Sequence, residues 1–378
     1  MRTPVCDLLG IEFPILAFSH CRDVVAAVTK AGGMGVLGAV AFTPEQLDVE
    51  LDWIDNEVGD RPYGVDVLVP AKYVGVEEGG LEGRDLASMI PDEHRRFVDD
   101  LLARYGVPPL PQDEQLPRDV GLLSWSHKGA KPLMDVAFAH KTRLIANALG
   151  PAPDYMVEHA HANGVVVAGL VGKKQHAQRQ MNAGVDIIVA QGYEAGGHTG
   201  EISTMVLVPE VVDAVAPTPV LAAGGIGNGR QIAASLALGA QGVWCGSVWL
   251  TTEEAETHPV VKEKFLAATS SDTVRSRAST GKPARQLRSA WTEAWDDPNN
   301  PDPLPMPLHG MLIAEAQGRM RRSAATNDGA RQLVNYFVGQ VVGQMNQVKP
   351  ARQVVYEMVE EFIDAAQRIG ALVDDGTY

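Results

Sequence analysis

Residues 219–247 read PVLAAGGIGNGRQIAASLALGAQGVWCGS. A short apolar run, 219–223, passes directly into Gly224-Gly225-Ile226-Gly227-Asn228-Gly229. A helical stretch, 229–238, then leads to a second apolar run, 242–245, which stops at Gly246-Ser247. Strand, glycine turn, helix and strand in this order form a βαβ unit with parallel strands. Glycine at a strand end lets main-chain N–H groups approach an anion with no Cβ in the way, and the helix that follows points its positive end there. Ser247 adds a hydroxyl donor. One such turn is ordinary chain reversal; two at consecutive strands point to a phosphate pocket. The GxxxxGK[ST] loop is missing, as is GxGxxG at the first strand-to-helix turn.

Six further strand-like runs precede this unit, at 13–18 (FPILAF), 34–39, 63–69, 142–148, 165–171 and 186–190. Helical stretches at 23–31, 154–163, 173–183 and 209–215 alternate with them. Another starts at Thr43, where TPEQ places a capping Thr, Pro at the first helical position and Gln at the third. Eight strands with seven excursions predict an α/β protein of the (β/α)8 TIM barrel type, whose core takes about 250 residues. An open, doubly wound sheet is the other arrangement that such alternation allows.

Two regions break the rhythm. Residues 71–131, after strand three, carry many charges, Gly79-Gly80 and VPPLPQDEQLP, with an amphipathic helix around 94–105. An excursion of this length is either a lid or a surface decoration. The segment 305–378 is a C-terminal helical extension, amphipathic over 354–371, that should pack on the barrel. The whole of 1–378 therefore reads as a single barrel domain.

Composition sets outer limits. With 32 basic and 47 acidic residues the chain carries a net charge of −15, which argues against nucleic acid and anionic membrane as partners. An anionic small-molecule substrate stays open. Three scattered cysteines without a CxxC pair suggest neither disulfide nor metal site. No apolar run suggests a signal peptide or a bilayer span, so a cytoplasmic protein is expected.

In a parallel barrel, chemistry collects where strands end. Strand six ends in Gln191-Gly192-Tyr193-Glu194-Ala195-Gly196-Gly197-His198-Thr199-Gly200. Four glycines in ten residues preclude a helix and suggest backbone lying against a flat ligand. Gln191 is placed at a ring edge, and His198, in the mouth, is the candidate acid, base or donor. Ser19 and His20 follow strand one and are candidate substrate contacts; His20 reads equally as a cap or packed residue. Asp66, in an otherwise apolar strand, needs a polar partner, either a cofactor or a barrel neighbour. Lys173 and Lys174 read as solvated, Trp244 and Trp249 as packing, and Cys245 as a small buried residue.

Taken together, these blocks resemble the nitronate monooxygenase family, formerly the 2-nitropropane dioxygenases. FPILAFSHCRDVVAAVTKAGGMGVLGA (13–39), DIIVAQGYEAGGHTG (186–200) and LAAGGIGNGRQIAASLALGAQGVWCGSVWL (221–250) carry the resemblance. FLAATSSDTVRSRASTGKPARQLRSAW (265–291) and, more loosely, 338–355 extend it. The resemblance implies an FMN cofactor, with Gln191, Gly196 and Gly197 at the flavin ring, Gly224, Gly225, Trp244, Cys245, Gly246 and Ser247 on the phosphate-side segments, and His198 as catalytic histidine. Asp66 falls where the family has Asn at a flavin contact. Ala17-Phe18-Ser19-His20 and GSVWL also depart from the family's pattern, the latter by lacking an arginine.

The family's reaction is oxidation of alkyl nitronates with O2 to a carbonyl compound and nitrite. The same EAGGHxG block occurs in NAD(P)H-dependent quinone reductases and enoyl-thioester reductases, so reduction of a quinone or CoA-type thioester, with NAD(P)H as co-substrate, is the alternative. A non-catalytic flavin-binding barrel is the third class. The sequence leaves the oligomeric state open, a homodimer included.

Overall fold

The computed structural model describes residues 1–74, 77, 83–111 and 126–374. Eight parallel strands close into a barrel: β1 Ile15–Ser19, β2 Met34–Gly38, β3 Tyr63–Leu68, β4 Thr142–Ala148, β5 Val166–Val171, β6 Ile187–Gln191, β8 Val220–Ala223 and β9 Gly242–Cys245. A two-residue strand, β7 Gly197–His198, lies outside it. β9 pairs back onto β1, with Leu16 opposite Trp244, so the sheet is closed rather than open. Each expected strand is found within a residue or two of its predicted ends.

The register explains the apolar runs. Alternate residues point inward, where Leu16, Met34, Val36, Leu144, Ala146, Val166, Ala168, Ile187, Val189 and Leu221 share one core. Their neighbours Ile15, Ala17, Val65, Val67, Ile145, Val167, Ile188 and Val243 point outward against the helices. Both faces are buried, which is why these strands read as continuous apolar runs rather than alternating ones. Each fully buried Leu, Ile or Val contributes about 1.5–3 kcal/mol. The predicted capping box is present: Thr43 Oγ1 accepts from Gln46 N at 3.2 Å, and Gln46 Oε1 accepts from Thr43 N at 3.0 Å.

Sequence periodicity did not reveal the element that seals the barrel floor. The six-residue helix Pro4–Leu9 is too short to show a period; it ends at Gly10 with φ 75°. Its Val5, Cys6 and Leu9, with Ile11, join the interior core.

The helix Ala351–Asp374 lies against the helices Gly229–Ala237 and Arg22–Lys30, and so takes the eighth place in the outer ring. Approach is close: a Cβ on Gly229 would stand 2.2 Å from Met358 O and from Phe362 N. A separate apolar core joins Val98, Leu101 and Leu102 of the helix Asp92–Arg104 to Phe265, Trp291, Trp295, Ile313 and Met320. The described part of the excursion after β3 thus packs with residues that follow β9. The rest of the expected lid, including 78–82 and 112–125, lies outside the described residues. Among the described residues no helix is long and apolar enough to cross a membrane.

Candidate active site

A cavity of about 750 Å³ opens at the C-terminal ends of the barrel strands, within the size range of small-molecule sites. Its base is built from the last inward-facing positions: Phe18 of β1, Gly38 of β2, Asp66 and Leu68 of β3, Ala148 of β4, Leu170 of β5, Gln191 of β6, Ala223 of β8 and Trp244 of β9. Phe18 and Trp244 stack at 6.2 Å and form an aromatic floor. All the sequence-predicted site residues line this one cavity: Ser19, His20, Asp66, Gln191, Gly196, Gly197, His198, Gly224, Gly225, Trp244, Cys245, Gly246 and Ser247.

The two glycine turns meet at its β8–β9 side. Gly224 and Gly225 both have positive φ, 101° and 71°, a conformation that side-chain-bearing residues rarely adopt. Main-chain N–H groups of Gly225, Ile226, Gly246 and Ser247 have no acceptor among the described residues. The Ser247 hydroxyl accepts from Gly339 N at 2.8 Å and keeps its own proton to donate. Buried or half-buried amides of this kind normally find a partner, so four of them beside a cavity fit an anion such as a phosphate. The helix behind them contributes less than its sequence suggests. Gly229 N donates to Glu361 Oε2 at 2.9 Å, Gln231 N to Asn228 Oδ1 at 3.1 Å, and Gly227 N to Gln231 Oε1 at 2.8 Å. The helix end is therefore already capped, and the open donors belong to the loops themselves.

Cys245 presents only main chain to the cavity; its side chain turns outward among the helices, where burial pushes the thiol up to about 12. Gly196 packs against the main chain of 338–339, with Gly339 N 2.9 Å from where its Cβ would be. That close approach, more than an open face, requires glycine there.

His198 is presented by a device the sequence reading did not find. A hairpin, β10 Thr273–Ser276 and β11 Ala284–Leu287, pairs antiparallel with β7, setting Ala284 opposite His198. The hairpin turn brings Thr280 Oγ1 to 2.8 Å from His198 Nε2. Thr280 donates its hydroxyl proton to Lys282 O at 3.2 Å and accepts from Lys282 N. This network assigns the ring proton to Nε2, donating to Thr280, and leaves Nδ1 with a free lone pair. Burial, reinforced by the Lys282 charge, pushes His198 down to about 4, so the ring is neutral at pH 7.

The Asp66 carboxyl has no hydrogen-bond partner among the described residues, and burial pushes it up to about 8. The barrel-neighbour partner allowed by the sequence is not there. His20 is no helix cap: its Nδ1–H donates to Gly38 O at 3.1 Å, and its ring packs edge-on to Phe18 at 5.1 Å. Ser19 Oγ accepts from Cys21 N at 3.1 Å. Lys173 is exposed, as expected, and borders the cavity mouth together with the exposed Lys72 and Arg179 and the half-buried Lys282. Thr280 and Lys282 lie 82 and 84 residues beyond His198, a separation no local pattern can bridge.

Comparison with known proteins places this geometry. The chain matches the sequence profile of the nitronate monooxygenase family over residues 2–361. A Mycobacterium tuberculosis protein provisionally named a monooxygenase is 64% identical over 374 residues, covering 99% of this chain and 100% of its own. A provisionally named nitronate monooxygenase of Staphylococcus aureus is 27% identical, covering 90% of this chain and 91% of its own. Among solved structures, nitroalkane oxidase from Streptomyces ansochromogenes gives a TM-score of 0.80 at 25% identity, covering 97% of this chain and 99% of its own. FabK from Thermotoga maritima gives 0.72 at 27% identity, covering 98% and 99%. Fold, site and matches define the class, an FMN-dependent oxidoreductase on a (β/α)8 barrel. Within it, the chain belongs to the nitronate monooxygenase family.

Proposed function

We propose that this cavity holds FMN and that the enzyme oxidises alkyl nitronates with O2 to a carbonyl compound and nitrite. The observation that carries the reading is the placement of His198 in the same cavity as the four unbonded glycine-turn amides. Those amides, with Ser247 and the turn at Gly224-Gly225, would hold the phosphate. Gln191, Asp66 and the main chain of Gly196-Gly197 and Trp244-Cys245 would border the ring system. When bound, FMN supplies the electron-accepting chemistry, which the protein orients and tunes.

The chain's own residues supply acid–base work and binding. Neutral His198 can take a proton from the carbon beside a nitro group through Nδ1, or donate a hydrogen bond in the other tautomer. An imidazolium, which the sequence also allowed, is disfavoured by burial and by Lys282. Thr280 fixes the ring's orientation. Asp66, kept neutral, offers both a donor and an acceptor, as the asparagine usual in the family would. Ser19 and His20 would border the substrate.

A second reading, reduction of a quinone or enoyl thioester by NAD(P)H, is favoured by one observation: Lys72, Lys173, Arg179 and Lys282 line the cavity, more positive charge than a singly charged nitronate calls for. The two readings separate cleanly. Purified, FMN-loaded enzyme supplied with propionate-3-nitronate should consume O2 and release nitrite. Absence of nitrite, with rapid anaerobic bleaching of the flavin by NADH or NADPH, would overturn the first reading in favour of the second. His198→Ala should lower turnover by about 10²–10⁴-fold while flavin absorbance is retained.

A further inference from the structure

The cavity has two chemically distinct sides. On the β8–β9 side the donors are amides and a hydroxyl, and no lysine or arginine of the lining belongs to the loops after those strands. The cations gather elsewhere: Lys72 follows β3, Lys173 follows β5, Arg179 lies on the helix Lys174–Asn182, and Lys282 is in the β10–β11 turn. Lys282 Nζ donates to Lys72 O at 3.0 Å, so the turn reaches the β3 loop. In the closed order β1-β2-β3-β4-β5-β6-β8-β9, β3 stands diametrically opposite β8, and β5 is two strands from β8 and three from β9. A flavin phosphate seated on the glycine turns therefore leaves these cations unused.

None of the four pairs with a carboxylate among the described residues. Asp66 is the only acid in the described lining. The helix Lys174–Asn182 begins at this rim with no side-chain cap on its first amides, adding positive potential. His176, beside Lys173 and Arg179, is pushed down by burial and then by both charges. In a chain of net charge −15, four cations with no carboxylate partner among the described residues concentrate positive field where a mobile anion would enter. A nitronate, with one negative charge and its seat near His198, does not account for four cations spread over three segments.

We propose that this rim is a second anion site, which grips the phosphate groups of a nucleotide-bearing substrate or co-substrate while its reactive end lies in the cavity. The inference rests on the flavin-oxidoreductase reading of that cavity. The phosphates can come from two sources, the tail of an acyl thioester of coenzyme A or a reduced nicotinamide dinucleotide.

The test is calorimetric titration of FMN-loaded enzyme with inorganic pyrophosphate, coenzyme A and NADPH at low and high salt. Coenzyme A or NADPH should bind, more weakly as salt rises. The Lys173→Ala/Arg179→Ala pair should weaken that binding by about fivefold per cation removed. Flavin content should be unchanged, since neither residue approaches the glycine turns. Coenzyme A binding without NADPH binding would assign the thioester source; NADPH binding with anaerobic flavin bleaching would assign the dinucleotide. Binding of pyrophosphate alone, binding of nothing, or equal affinity in the double variant would overturn the proposal. A protein that fails to retain FMN would instead refute the flavin reading, while the difference in pyrophosphate binding between that protein and its Lys173→Ala/Arg179→Ala variant still reports on the rim.

Discussion

Replacing Asp66 with asparagine should stabilise the protein by an amount that grows steadily with pH. Asp66 is 8% exposed, faces the barrel interior from β3, and its carboxyl has no hydrogen-bond partner among the described residues. Burial raises its carboxyl from 3.8 to about 8. Unfolded, the group loses its proton near 3.8; folded, it keeps that proton until pH reaches about 8. Across this window the folded state binds one more proton than the unfolded state, so stability falls as pH rises, by about 1.4 kcal/mol per pH unit. The loss is absent below the lower value and complete above the upper one. Summed over about four units it amounts to about 5 kcal/mol, a large share of the 5–15 kcal/mol typical of a folded domain. Asparagine matches the carboxyl in shape and has no proton to lose. Urea unfolding of both proteins at pH 5, 7 and 9, with and without FMN, measures the difference. The variant's advantage should be about 1–2 kcal/mol at pH 5 and about 5 kcal/mol at pH 9. An advantage that is the same at all three pH values would refute the argument, because it would mean that Asp66 ionises in the folded protein as it does in solution.

Three further substitutions probe other parts of the site. Thr280→Val removes the acceptor for His198 Nε2 and should lower kcat about tenfold, with KM little changed and the pH profile shifted; Thr280→Ser should restore the wild-type profile. Gly225→Ala forces a side chain into φ 71° and should cost about 1 kcal/mol locally and weaken FMN binding, read by flavin fluorescence during dialysis. Gly229→Ala drives a methyl group into the main chain at Met358 and Phe362 and should lower stability by about 1–3 kcal/mol, seen as a reduced melting temperature with unaltered flavin spectrum in the protein that stays folded.

The barrel was legible because its strands are buried on both faces. The runs FPILAF, VVVAGLV and DIIVA stand out against the polar helices between them, and glycine marks the strand ends where the chain turns toward the mouth. The candidate residues were legible for the same reason: a strand end in a parallel barrel is a position in space as well as in sequence. What escaped was everything made by distant pairs. The floor helix Pro4–Leu9 is too short for a period, and the hairpin that holds β7 is recognisable only once Ala284 is seen opposite His198. Thr280 is one threonine among many until the turn carries it to the imidazole. The capped state of the helix after β8 depends on Glu361, which lies 132 residues beyond Gly229. Periodicity reports what a segment does with its own neighbours, and these features depend on neighbours that the fold supplies.

That last contact also bears on how the protein is made. By the time Cys245 leaves the ribosome, all eight barrel strands have been synthesised, yet the sector of wall between the helices Arg22–Lys30 and Gly229–Ala237 still awaits its cover. Ala351, Val355 and Met358 complete that wall only once more than a hundred further residues have emerged. A nascent chain stalled anywhere between these points carries all eight strands with an oily seam open along one side, the kind of surface through which partly made chains aggregate.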